Sequence, residues 1–229
     1  MGGTSGIGLA TAQAAAAEGA HVVVVSSNQQ RVNDTLATLP DTAKGYAVDL
    51  TNEQNIKTFF EGIGNFDHLV YTAGENLSLT YLGNLELEKA RDFFTLRYWG
   101  VLASLKYGVP HINQGGSVSL MGGTAGARPN AGWVLGASTC AAIEGVTRTM
   151  AIELAPIRVN AVAAGVIKTN LWGNLSEADR EGMYKSLGDA LPVKRVGEAE
   201  DVALAFTYLM KQQFGTGQII TVDGGTVLI

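Results

Sequence analysis

The sequence predicts one α/β domain in which a parallel sheet is covered on both faces by helices. Short runs of β-branched and apolar residues alternate with helix-spaced stretches from one end of the chain to the other. No internal repeat or low-complexity linker interrupts that alternation. With 229 residues, 46% of them hydrophobic, the chain is long and apolar enough for one large core.

Each element has a local reason. The glycine-rich opening leads into a helix over Leu9 to Glu18, closed by Gly19. Val22 to Val25 is a continuous β-branched run, and a further strand is expected to end before Asp49. A helix over Glu53 to Glu61, a strand at Leu69 to Tyr71, a long helix over Leu85 to Val109 and a strand at Ser117 to Leu120 follow. Thr139 to Leu154 has helical spacing, with Ala141, Ile143, Val146 and Met150 as its packing face, and Arg158 to Val162 returns to strand. A helix over Asp201 to Lys211 and a strand at Gln218 to Val222 close the chain. The polar stretch Ser176 to Arg195, within residues 170–197, reads as an insertion over the substrate side of the sheet and not as a second domain.

Composition excludes several functions. Only 16% of residues are charged and the net charge is −5; no cluster of lysine and arginine stands ready for a polyphosphate backbone, which argues against nucleic acid as a partner. The longest apolar runs fall well short of the roughly 20 residues that span a bilayer, and no secretory leader opens the chain, so it reads as soluble. The single cysteine, Cys140, rules out an intrachain disulfide framework and a cysteine-built zinc site. That usage fits a reducing cytoplasm.

Gly2, Gly6 and Gly8 stand in G-x3-G-x-G spacing and run straight into an alanine-rich helix. Glycines so placed let the backbone turn tightly and approach a diphosphate, whose charge meets free N–H groups at the helix N-terminus. Thr4, Ser5 and Ile7 share that loop. A ligand-free tight turn is the alternative. The motif points to a Rossmann-like, doubly wound, three-layer αβα fold, yet Met1 leaves no first strand before it. Loss of that central strand would expose about five core positions at roughly 1.5–3 kcal/mol each, on the scale of a domain's whole 5–15 kcal/mol. The natural protein is therefore expected to carry residues before Met1.

With these motifs the chain resembles the short-chain dehydrogenases/reductases over its whole length except the missing first strand. The resemblance rests on the glycine loop, Asp49-Leu50 after the third strand, "YTAG" at Tyr71 to Gly74 in place of N-N-A-G, "IRVNAVAAGVIKT" at residues 157 to 169, and "VDGG" at Val222 to Gly225. It implies an adenine edge at Asp49 and Leu50, and a nicotinamide edge at Ala73, Gly74, Gly165, Ile167 and Thr169. Asp49 read without it is a loop carboxylate capping the next helix. The second strand ends in Ser26-Ser27-Asn28, with no carboxylate for a ribose 2′-hydroxyl. Ser27, Asn28 and Arg31 would tolerate a 2′-phosphate, which favours NADP(H) over NAD(H); Arg31 could equally be a solvated surface charge.

The family's catalytic asparagine, serine, tyrosine and lysine align with Arg97, Gly123, Gly136 and Cys140. Realignment cannot restore them, because no lysine lies between Lys106 and Lys168 and no tyrosine between Tyr107 and Tyr184. "W-x-L-x-x-x-x-C-x-A-x-E-G" together with Arg97 is similar to a branch of the family from bacteria and fungal secondary metabolism. Some fungal members of that branch are reductases or cyclisation catalysts that keep NADP(H). Arg97 is expected to point into the space of the tetrad, and Arg128 to sit in the loop where substrate lies. A guanidinium stabilises an oxyanion or clamps a carboxylate but is a poor proton donor; an ion pair is the plainer role for each. Trp133 offers a flat contact for substrate or packs in the core. No histidine lies near Ser138, Thr139 or Cys140 to activate them.

Two functions stay open at this level. One is an NADP(H)-dependent oxidoreductase that reduces a carbonyl or imine of a small-molecule substrate without the Tyr/Lys pair, its proton coming from water or substrate. The other is an NADP(H)-binding protein without redox turnover, acting as a sensor, a subunit or a cyclase-like template. The resemblance also implies a homodimer or homotetramer built on the long central helices.

Overall fold

The computed structural model describes residues 1–77 and 79–229. Six strands, all parallel to their neighbours, form the sheet in two sets. β1 (Val23–Ser26) pairs with β2 (Lys44–Ala47). β3 (Phe66–Tyr71), β4 (Ile112–Gly123), β5 (Arg158–Ala164) and β6 (Ile219–Val222) lie side by side in that order.

Met1 to Gly3 join the two sets. The Met1 α-ammonium donates to the Val70 carbonyl at 2.8 Å, and the Thr72 amide donates to the Met1 carbonyl at 2.9 Å. On the other side the Gly2 amide donates to the Val25 carbonyl at 2.8 Å. Three residues thus hydrogen-bond to β1 and β3 at the carboxyl ends of both strands, where ligands of doubly wound sheets gather.

The helices are α1 (Gly6–Ala17), α2 (Gln29–Leu36), α3 (Glu53–Ile63), α4 (Leu87–Phe94), α5 (Gly100–Gly108), α6 (Val134–Glu153), α7 (Glu177–Ala190) and α8 (Ala199–Lys211). α1 packs on α8, which lies over β4, β5 and β6; α3 packs on α5, and α6 covers β4 and β5. This is the three-layer arrangement the alternating pattern predicts. Ile56, Phe60, Val118, Leu120, Ile143 and Val159 fill the main core, with Val162, Val202, Phe206 and Leu209 between β5 and α8. Burial of each such side chain is worth about 1.5–3 kcal/mol. None of the helices in the described residues is long and apolar enough to cross a membrane.

The structure departs from the sequence reading at four elements. α2 was not expected, because its polar sequence buries only Val32 and Thr35; Asn28 nucleates it by accepting from the Arg31 amide at 2.9 Å. β4 extends well before Ser117, with an irregular register against β3 between Phe66 and His68. α6 begins five residues before Thr139. The long helix expected over 85–109 is broken by a π-helical turn over Thr95–Trp99 between α4 and α5. In the 170–197 segment, Ser176 caps α7, and Trp172, Tyr184, Leu191 and Val196 form a separate small core.

Two polar residues of the "IRVN" stretch stitch the sheet to its surroundings. Arg158 donates to the carbonyls of Leu209 and Met210, at 2.8 and 3.3 Å, and so satisfies the last turn of α8. Asn160, fully buried, donates to the Gly215 carbonyl and accepts from the Gln218 amide, each at 3.0 Å. It fixes the turn that feeds β6. Asn160→Ala strands the Gln218 amide and takes from the Gly215 carbonyl one of its two donors, the other being Gln212 Nε2 at 3.1 Å; a buried unpaired amide costs about 1–3 kcal/mol. Urea unfolding should show a loss of about 2 kcal/mol or more with an unchanged slope.

Candidate functional site

A cleft of about 990 Å³ opens along the carboxyl ends of the strands. Its floor at one end is the glycine loop. Gly2 adopts a left-handed φ of 86°, and a β-carbon on Gly8 would lie 2.1 Å from the Gly2 carbonyl oxygen and 2.5 Å from Thr72 Oγ1. Only glycine permits that approach. Ser5 enters α1 in extended conformation with no side chain capping the helix, so no capping group covers the first-turn amides. A loop closed this tightly, ending on open helix amides, fits a diphosphate.

The sequence-predicted residues converge on this cleft. Gly2, Thr4, Ser5, Gly6, Ile7 and Gly8 line one stretch, and Ser27, Arg31, Asp49 and Leu50 line the part beyond β1. Ala73, Gly74, Gly165, Ile167 and Thr169 line the opposite part, where the Thr169 side chain sits against Gly6. Asn28 is the exception. Its side chain is spent on capping α2 and does not line the cleft. Asp49 accepts from the amide and hydroxyl of Thr51 at 2.9 and 2.7 Å, while Asn52 caps α3, so Asp49 is not a helix cap.

Gly123, Gly136 and Cys140 border the same cleft. The space their small size leaves is partly taken by neighbours. A β-carbon on Gly123 would lie 3.1 Å from Cys140 Sγ, and one on Gly136 would lie 3.3 Å from Leu77 Cδ2. Burial pushes the Cys140 thiol up, away from thiolate formation. Thr139 Oγ1 donates back to the Leu135 carbonyl at 2.8 Å.

Arg97 reaches this space from the π-turn. Its guanidinium lies 4.8 Å from the Phe93 ring centroid, packs against the α-carbon of Gly74 and donates to the backbone carbonyl of Glu75. Arg97 Nε stands 3.4 Å from Glu75 Oε2, yet both atoms are buried without a hydrogen-bond partner. Burial lowers the pKa of Arg97, which stays a cation at any working pH. Arg128 is tied at the rim, where Nη1 donates to the Thr226 carbonyl at 2.8 Å. Trp133 lines the cleft as well.

Sequence reasoning missed three contributors. Glu75 follows "YTAG" directly, and the signal was there: a carboxylate in an otherwise uncharged stretch from Leu69 to Tyr81. Trp172, buried with Nε1 donating to the Ile167 carbonyl at 3.0 Å, forms part of the wall and is the second. Tyr71 is the third. Its hydroxyl donates to the Leu96 carbonyl inside the π-turn at 2.7 Å, and burial raises its pKa, so its proton is not available to a ligand. Gly100 makes room for it, since a β-carbon there would lie 2.5 Å from the phenol oxygen. Among the described residues no group of three His, Cys, Asp or Glu could hold a metal ion.

The fold and this glycine-floored cleft define a Rossmann-type α/β protein. A family described as Enoyl-(Acyl carrier protein) reductase matches residues 2–227. The short-chain dehydrogenase/reductase fsr5 of Gibberella fujikuroi is 31% identical over 100% of this chain and 93% of its own. Carbonyl reductase family member 4 of Danio rerio is 32% identical over 100% of this chain and 97% of its own. Among solved structures, a small-chain dehydrogenase in complex with NADPH superposes with a TM-score of 0.82 at 33% identity, over 91% of this chain and 99% of that one. The MalC reductase/Diels-Alderase of Malbranchea aurantiaca gives 0.91 at 26% identity, over 100% and 95%. The chain belongs to the short-chain dehydrogenase/reductase family.

Tyr71 holds the turn that aims Arg97. Tyr71→Phe leaves the Leu96 carbonyl without this donor, and the expected loss is about 1–3 kcal/mol. Thermal and urea unfolding of the variant beside the unaltered protein measure it; equal stability would show that the turn closes without the phenol.

Proposed function

We propose that this chain is an NADP(H)-dependent oxidoreductase that reduces a carbonyl or imine without the family's Tyr/Lys pair. The observation that carries the reading is the continuity of one cleft from the glycine loop to Arg97. The diphosphate would rest on the open amides at the start of α1, with Asp49 and Leu50 at the adenine and Ser27 with Arg31 at a 2′-phosphate. Gly165, Ile167 and Thr169 would border the nicotinamide. The solved small-chain dehydrogenase in complex with NADPH supports this choice of cofactor. The relatives named as carbonyl reductase and as MalC reductase support the reaction class.

When bound, NADPH supplies the hydride. The chain's own contribution is to hold the acceptor and to stabilise the charge that develops on it. Arg97, fixed by Phe93, Gly74 and Glu75, presents a permanent cation where a substrate oxygen or nitrogen gains negative charge. Gly123, Gly136 and Cys140 stand where the family carries larger side chains, in space that Leu77 and the thiol partly fill. Leu77, Trp133 and Trp172 give it apolar walls that exclude water, and residues 170–197 form its substrate side. General acid–base help is worth about 10²–10⁴ in rate, whereas positioning beside a cofactor can contribute more. Such a site therefore turns over without the tyrosine.

Titration with NADPH and NADH, followed by fluorescence, should show tighter binding of NADPH. Arg31→Ala should weaken NADPH by about 10- to 100-fold, as expected for one charge-assisted contact to phosphate of about 1.5–3 kcal/mol, and leave NADH nearly unchanged. Loss of NADPH absorbance in the presence of a panel of aldehydes, ketones and cyclic imines tests turnover. Tight binding with no oxidation on any of them would favour a cofactor-binding protein without redox chemistry.

A further inference from the structure

We infer that the carboxyl of Glu75 delivers the proton in this reaction, an assignment that rests on the oxidoreductase reading above. Chemical elimination leads to it. Around the space facing Gly123 and Gly136, the Tyr71 hydroxyl is committed to the Leu96 carbonyl and the Thr139 hydroxyl to that of Leu135. The Cys140 thiol is wedged between Gly123 and Gly126, and Arg97 does not release a proton. Asp49 follows β2, the outermost strand, and is bound to Thr51. Glu75 is the remaining cleft-lining acid among the described residues.

Its placement suits the task. Glu75 follows Gly74, whose α-carbon is packed on the Arg97 guanidinium, and Arg97 grips the Glu75 backbone carbonyl. Glu75 lines the cleft with its side chain 39% exposed, against 21% for Arg97, while its Oε2 is buried beside Arg97 Nε. The two atoms form an ion pair at 3.4 Å with no hydrogen bond across it. Arg97 from the π-turn and Tyr71 from β3 face the carboxyl, and Cys140 from α6 faces Arg97. Burial holds the acid above the ordinary carboxylate range despite the opposing pull of Arg97.

The balance closes without a further reagent. As the substrate carbon accepts hydride with its electron pair, the O–H bond of the Glu75 carboxyl breaks and a new O–H or N–H bond forms on the substrate. The carboxylate is left beside Arg97, which stabilises it, and recovers a proton from water at its exposed edge. Reduction needs the protonated form, so its rate is highest below the pKa of Glu75 and falls as pH rises through it.

Two measurements on the full chain test this. The first is carboxyl-carbon NMR of ligand-free protein labelled with ¹³C-glutamate, in which Glu75→Gln identifies the resonance. Glu75 should titrate above the ordinary value of about 4.3. The second is NADPH-dependent reduction across pH: Glu75→Gln should be slower by about 10²-fold or more and lose the descending limb, with NADPH binding retained as proof of folding. A Glu75 resonance at or below the ordinary value overturns the assignment whatever the turnover. So does a Glu75→Gln protein with the rate and pH profile of the unaltered chain. If the unaltered protein reduces nothing on the panel, the oxidoreductase reading itself falls and takes this assignment with it.

Discussion

The site depends on how closely Met1 to Gly3 approach both halves of the sheet. Hydrogen bonds from this short segment to Val25, Val70 and Thr72 set the height of the glycine loop over the strand ends. Gly8 then packs onto the Gly2 carbonyl with no room for a methyl group. Because α1 starts at that contact, its open amides point where the strands end. The same constraint fixes Ala73 and Gly74, since the Ala73 backbone lies against Gly2. A shift of the loop would move both ends of the cleft together.

The other end is built around the cation of Arg97. A π-turn in a long helix is costly unless something engages the carbonyls it displaces, and such turns gather at functional sites. Here Tyr71 binds the Leu96 carbonyl, Gly100 clears space for the phenol, and Arg97 is carried into the cleft. Phe93, one turn earlier, supplies the aromatic face under the guanidinium. Tyr71 of β3, Phe93 of α4, Arg97 of the π-turn and Gly100 of α5 thus act as one support, and the arginine is held on several sides before any ligand arrives.

Much of this was legible in the sequence because period and residue type agreed. Val23–Ser26 and Arg158–Ala164 announced themselves through β-branched runs, and every expected cofactor residue except Asn28 borders the cleft. Asn28 caps α2, a role that asparagine after a strand serves equally well, and α2 hid behind a polar sequence. The π-turn was illegible because Leu85 to Val109 keeps helical spacing throughout; only the tertiary contact of Tyr71 with Leu96 reveals the extra residue. Glu75 went unnoticed because its role depends on what surrounds it. Burial beside Arg97 is a property of the fold, not of the string.

The fit between Gly123 and the Cys140 sulfur ties the size of one residue to that of the other. A β-carbon at 123 would sit 3.1 Å from Sγ, closer than such atoms ordinarily rest. Any side chain at 123 therefore requires the thiol to give by a few tenths of an ångström. The two positions are therefore coupled: a residue larger than glycine at 123 fits best beside one smaller than cysteine at 140.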